Sequence, residues 1–206
     1  MVKIPLFRLA VLVACITPGA LLLYGAFVTG DLGINPVETL QHRTGATSLQ
    51  LLLASLAITP LRKITGWSWL IKVRRMLGVW AFVYGFAHFM SYFAFDRLFS
   101  LAGVAEDVVL RRFVLSGMVS LLAMLPLALT STKGWIRRMG GKKWQRLHRL
   151  AYVAAVAGAL HFVWKKKVLT FETIAYTMSV LLLLGYRLVE ATRKRRPSST
   201  RQAPAA

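Results

Sequence analysis

Residues 76–95 read MLGVWAFVYGFAHFMSYFAF, twenty consecutive positions with no aspartate, glutamate, lysine or arginine and with one histidine, His88. A helix rises 1.5 Å per residue, so this stretch is about 30 Å long, the thickness of the hydrocarbon core of a bilayer. Backbone groups cannot stay unpaired in lipid, and a continuous apolar run of this length makes a helix rather than a barrel strand. Working outward, five more apolar segments of spanning or near-spanning length lie at about residues 9–28, 45–61, 113–130, 147–164 and 171–189. The first is too long for the apolar region of a signal peptide and no clear small-residue cleavage site follows it, so it is expected to persist as a helix. Pro18, Pro60 and Pro126 fall within or at the ends of segments, where neighbouring helices can satisfy the carbonyls that a kink frees. The sequence therefore predicts an all-α integral membrane protein, a six-transmembrane-helix bundle over residues 1–192, with a basic, disordered tail over 193–206. No internal repeat is evident.

Composition agrees with lipid as the solvent. The chain is 56% hydrophobic and has only 7 acidic residues among 206, with a mean hydropathy of +0.56. Its net charge of +20 does not indicate a nucleic-acid partner, because the basic residues flank apolar runs instead of lining a water-facing groove. Counted loop by loop, 20 of the 27 lysines and arginines fall on one side of the six segments, and six of the seven acids share the poorer side. The positive-inside rule then predicts an N-in/C-in topology, with the tail held near anionic membrane lipid. Trp67, Trp69, Trp135 and Trp144 stand among the cytoplasmic charges and read as interfacial anchors. A single cysteine, Cys15, lies in an apolar stretch and excludes a disulfide framework or a cysteine-ligated cluster, leaving it as packing bulk.

The four histidines carry the chemistry. An ionisable ring inside a spanning helix is costly enough to make function the default hypothesis, and imidazole is a haem axial ligand. His88 and His161 lie about twelve and fourteen residues from the cytoplasmic starts of the third and fifth segments, which run in the same direction. They reach similar depths, and two neutral imidazoles at one level on separate helices can clamp one iron. The alternative is a pair hydrogen-bonded to backbone or to each other. His148 precedes His161 by 13 residues, roughly 20 Å deeper and about 140° around an ideal helix, so one metal group cannot use both. Two such groups stacked across the membrane could. Near the depth of His148 the third segment offers Arg74, which does not ligate iron and would instead meet a carboxylate such as a propionate. His148 also reads as an interfacial residue in the basic turn WQRLHR, and His42, in the polar loop before the second segment, as solvated or loop-capping.

Asn35-Pro36-Val37-Glu38 with His42 and Thr44-Gly45, Thr59-Pro60-Leu61-Arg62, Thr65-Gly66-Trp67, Arg74-Arg75-Met76-Leu77-Gly78, Leu127-Ala128-Leu129-Thr130-Ser131 and Trp144 to Tyr152 (WQRLHRLAY) resemble the MsrQ family, also called YedZ. The likeness runs from about residue 29 to 165. That family belongs to the ferric-reductase-like transmembrane proteins, related to the membrane part of NADPH oxidases. The resemblance implies one or two b-type haems with His88, His161 and His148 as axial ligands to the iron. It also implies electrons taken from the quinone pool or a cytosolic flavin reductase and passed to MsrP, a periplasmic molybdopterin reductase of methionine sulfoxide in oxidised proteins. Where the oxidase relatives place a second histidine on the third helix, this chain has Arg74. The family is also credited with FMN; no phosphate-cradling glycine motif accompanies it here. Two other functions share parts of this pattern. A self-sufficient ferric or oxygen reductase would use every haem feature but needs flavin and nicotinamide domains, for which the residues after 189 are too few. A haem-free transporter would line an ion path with the histidines and show no haem spectrum. No carboxylate pair or nucleophile–base arrangement offers a catalytic centre, so catalysis is expected in the partner.

Overall fold

The computed structural model describes residues 4–166, 168 and 170–195; most of the basic tail lies outside the described residues. Nine α-helices and no strand occur among them: α1 (Ile4–Tyr24), α2 (Pro36–Thr65), α3 (Ile71–Ser91), α4 (Leu101–Leu110), α5 (Arg112–Leu129), α6 (Lys133–Met139), α7 (Gly141–Leu147), α8 (Leu150–Lys166) and α9 (Phe171–Arg195). Six helical stretches are long and apolar enough to cross a membrane: 5–29, 36–65, 68–96, 112–129, 141–166 and 171–193. The protein is an all-α, six-span membrane bundle.

Several of these run longer than the apolar segments, because hydropathy marks what lipid touches while helical hydrogen bonding continues into polar turns. α2 is the clearest case. It starts eight or nine residues before its apolar stretch, where the Asn35 side chain accepts the Glu38 N–H at 3.2 Å and Pro36 presets the first turn. It ends at Gly66, whose left-handed backbone (φ 75°) lets its N–H reach the Arg62 carbonyl. The fifth span is not one helix: His148 and Arg149 form a turn between α7 and α8. The ideal-helix rotation between His148 and His161 therefore does not apply.

α1 shows how a proline is accommodated without water. Pro18 interrupts the ladder, and the Tyr84 hydroxyl enters the gap, donating to the Cys15 carbonyl at 2.7 Å and accepting the Gly19 N–H at 2.8 Å. One phenol replaces one helical hydrogen bond, and Cys15 is buried packing bulk beside it.

The core is built from two helix pairs. α2 lies along α3 and α5 along α8, and they meet at Leu52, Leu56, Ala81, Met124, Ala154 and Ala155. In the first pair the Ser48 hydroxyl donates to the Ala81 carbonyl, and in the second the Ser120 hydroxyl donates to the Ala154 carbonyl, both at 2.8 Å. Gly85 faces Ser48 and Gly158 faces Ser120 so closely that a Cβ would stand 3.0 and 3.2 Å from the hydroxyl oxygens. Small residues and hydroxyls at helix contacts are the means by which helices associate in lipid, where apolar burial alone gives no preference. The two contacts are copies. A-x-x-x-G-x-x-H-F occurs at 81–89 and again at 154–162, and G-x-x-S at 45–48 and 117–120. The fold thus contains an internal repeat that was not evident from the sequence.

Candidate functional site

The repeat ends on His88 and His161. Each ring places Nδ1 against a carbonyl of the paired helix: Gln41 O at 2.8 Å for His88 and Phe113 O at 2.6 Å for His161. A carbonyl can only accept, so each Nδ1 carries the proton and donates, and Nε2 keeps its lone pair. The acceptor stands four residues before a glycine in both copies. Those glycines are the seats of the rings: a Cβ on Gly45 would lie 3.1 Å from His88 Nδ1, and one on Gly117 would lie 2.7 Å from His161 Nδ1.

The two imidazoles face each other with centroids 5.8 Å apart and planes at 79°. Imidazole nitrogens bind first-row metal ions at about 2 Å, which puts two rings sharing one metal about 6 Å apart between centres. Both line a cavity of about 1060 Å³ within the four-helix core. This volume lies just above the roughly 300–1,000 Å³ of small-molecule and cofactor sites. Its apolar lining includes Leu49, Leu52, Phe89, Leu121 and Met124, and its charged lining is Arg97, Arg111, Lys165 and Lys166 with the acids Glu38 and Asp96. A flat apolar macrocycle with carboxylates at one edge matches this lining. Among the described residues no group of three or more His, Cys, Asp or Glu gathers to hold a bare metal ion.

At the cavity mouth, Asp107 is 3% exposed and accepts hydrogen bonds from Tyr92 and Arg97, with Arg111 Nε at 3.0 Å. Burial pushes its carboxyl up, but the bonds from Arg97 and Tyr92 and the charges of Arg111 and Arg97 outweigh this and hold it below the usual carboxylate range. His42 is exposed at the same mouth, 6.4 Å from Phe162 between ring centres.

His148 stands apart, in the cation-rich half. Trp144 stacks on its ring at 3.8 Å and donates its indole N–H to the Thr130 carbonyl, so this tryptophan covers His148. His148 Nε2 is 3.3 Å from the Thr130 hydroxyl, which also approaches the Pro126 carbonyl at 2.6 Å. A hydroxyl has one hydrogen; with the shorter contact taking it, Nε2–H donates to Thr130 and Nδ1 keeps the lone pair. Arg74 and Arg75 are the charges within reach of His148.

The structure therefore brings His88 and His161 together and leaves His148 and Arg74 as a second cluster. Gln41, Gly45, Phe113 and Gly117 were missed from sequence; the doubled A-x-x-x-G-x-x-H-F was the signal that could have found the glycines.

The profile described as "Ferric reductase like transmembrane component" matches residues 44–159. The chain is 46% identical over 190 residues to the protein-methionine-sulfoxide reductase heme-binding subunit MsrQ of Rhodospirillum rubrum, covering 92% of this chain and 90% of that one. Proteins of the same description from Azospira oryzae and Herminiimonas arsenicoxydans are 42% and 41% identical. These cover 85% and 94% of this chain and 76% and 89% of their own length. No solved structure matches.

Proposed function

The chain belongs to the MsrQ family of heme-binding subunits of protein-methionine-sulfoxide reductases, within the ferric-reductase-like group, and on that premise we propose that it carries electrons across the membrane to a periplasmic partner. It is a multi-pass protein of the bacterial inner membrane. The observation that carries the proposal is the facing pair His88 and His161, each with Nδ1 anchored and Nε2 free, over a haem-sized cavity. Haem b held there supplies a one-electron iron couple.

The chain's own residues do the rest. Gln41 and Phe113 carbonyls fix the ring tautomer and raise the basicity of the ligating nitrogens. Apolar walls would keep water from the iron of a bound haem, and Lys165, with Arg111 and Lys166 beside their partners Asp107 and Glu172, would face its propionates. We place the cation-rich end in the cytoplasm, with both termini, and the cavity mouth toward the periplasm. His148 and Arg74 would hold a second haem nearer the cytoplasm, His148 as a ligand to its iron and Arg74 on a propionate. Electrons enter from the quinone pool or a cytosolic flavin reductase and leave to an MsrP-like molybdopterin reductase that repairs methionine sulfoxide; bond-making belongs to that partner. FMN enters on family likeness alone, and flavin released on denaturing the purified chain is its test. The deciding experiment is haem per purified chain with a reduced visible spectrum. A sharp low-spin band supports the proposal, and a pure, folded, haem-free chain overturns it.

A further inference from the structure

The cation-rich half contains a cluster that the two-histidine clamp does not use. Arg187, on α9, is the only charged residue of its helix between Glu172 and Glu190. It lies inside a span, where an arginine is costly unless something compensates it. Its guanidinium donates to the Tyr152 hydroxyl at 2.7 Å and to the Leu56 carbonyl at 2.9 Å, and it lies over the Tyr152 ring at 5.0 Å. Those partners are neutral. Its Nε is buried with no hydrogen-bond partner, and one turn beyond Leu56 the buried Thr59 hydroxyl has none either.

Arg74 is tied to the same turn of α2 as Arg187: the Ser55 hydroxyl donates to the Arg74 carbonyl at 3.0 Å, and the carbonyl of the next residue, Leu56, accepts from Arg187. The Arg74 guanidinium makes no hydrogen bond or ion pair among the described residues, and neither does that of Arg187 with any carboxylate. Glu190, the acid one turn along α9, is paired with Lys63. Two guanidinium groups with one tyrosine hydroxyl, orphaned donors and no carboxylate make an incomplete site. The Leu56 carbonyl and the Tyr152 hydroxyl orient the Arg187 fork without neutralising it, and an anion would supply the missing charge and the acceptor for its Nε.

We propose that Arg187 and Arg74 form an anion site in the cation-rich half of the bundle and that its occupant is a carboxylate, the propionate of the haem near His148. The inference rests on the second-haem reading above and adds the residue that makes it workable. A planar fork with free N–H donors suits a carboxylate, and His148 lies within reach of Arg74. Tyr152 is a positioning residue: its hydroxyl and ring hold the Arg187 fork in place from α8, the helix that begins two residues after His148.

The test uses the full chain in detergent with both haems counted, apomyoglobin as a haem acceptor, separate redox titration of each haem, and native mass spectrometry for bound lipid. Arg187→Gln should release the second haem to apomyoglobin faster by about tenfold or more, with a shifted midpoint potential, while the haem at His88 and His161 is unchanged. Arg187→Lys, which keeps the charge and loses the fork, should fall between the two. Should Arg187→Gln not fold, Tyr152→Phe and Arg187→Lys carry the test, each with faster release of the second haem alone. A wild-type chain with a single haem overturns the second-haem reading and this inference together. Two haems with wild-type release and potential in the variants overturn the inference alone. Loss of a bound anionic lipid from Arg187→Gln with both haems unchanged also overturns it, since the occupant is then a lipid phosphate.

Discussion

In one half of the bundle His88 and His161 each donate Nδ1–H to a carbonyl and keep Nε2 free; in the other, His148 directs Nε2 to Thr130 with Arg74 and Arg75 as its charged neighbours. The first half is built by repetition. The offset of 73 residues that carries Ala81, Gly85 and His88 onto Ala154, Gly158 and His161 carries Arg75 onto His148 and Arg74 onto Leu147. Toward the cation-rich end the copies have diverged, and a residue outside both copies, Arg187, joins the cluster. Where the copies agree, the repeated helix pair brings two imidazoles face to face, and where they do not, it leaves arginines beside a lone histidine.

The largest expected effect breaks the first half. His88→Ala and His161→Ala should each abolish the low-spin haem of the two-histidine site, and the double variant should lose no more than either single one, because both act on one iron. Haem counting with reduced spectra checks this. A single variant with a full spectrum would separate the two histidines functionally.

His148→Ala addresses the other half. The low-spin spectrum of the first site should be unchanged, while its reduction by a cytoplasmic-side donor falls to the rate of direct, long-range transfer. Stopped-flow reduction at the wild-type rate would leave His148 as a packed residue under Trp144.

Smaller effects grade the seats of the rings. Gly117→Ala puts a Cβ 2.7 Å from His161 Nδ1 and must move the ring, costing about 1–3 kcal/mol in haem retention. Gly45→Ala, at 3.1 Å from His88 Nδ1, should cost less, and Gly185→Ala, with nothing within 4 Å, should match wild type. Haem release measured across the three should follow that order.

These seats also mark what the sequence could and could not disclose. Six spans and the level of His88 with His161 were legible because apolar length and helical rise are fixed by residue type and count. The Gln41 and Phe113 acceptors were not, since any residue has a carbonyl and only the packing chooses which one meets a ring. The repeat escaped because a handful of identities spread over two copies carry it. Arg187 was legible as a cation but was counted only toward topology, since its orphaned Nε exists only in three dimensions. Trp144 and His148 were legible as parts of a basic, aromatic stretch, but the Thr130 hydroxyl and carbonyl that meet their side chains are chosen by packing alone.

The smallest effect distinguishes the two ends by acid. At the cavity mouth a single carboxylate, Asp107, ties Arg97, Arg111 and Tyr92 together beside a turn in which Leu98 and Phe99 hold positive φ of 46° and 62°, a conformation that L side chains adopt at a cost. Asp107 titrates below the ordinary carboxylate range because those partners outweigh its burial. A depressed folded value means that the carboxylate contributes stability above its unfolded pKa, about 3.9, and loses it as the pH falls through the lower folded value. The turn and α4 should therefore be fully held at neutral pH and loosen only in strong acid. Hydrogen exchange of the α4 amides reads this locally: protection should be lower in Asp107→Asn at neutral pH and should no longer fall on acidification, while α8 beside Arg187, where no carboxylate takes part, stays flat in both proteins. Equal pH dependence of α4 in wild type and variant would remove Asp107 as the group that holds the mouth.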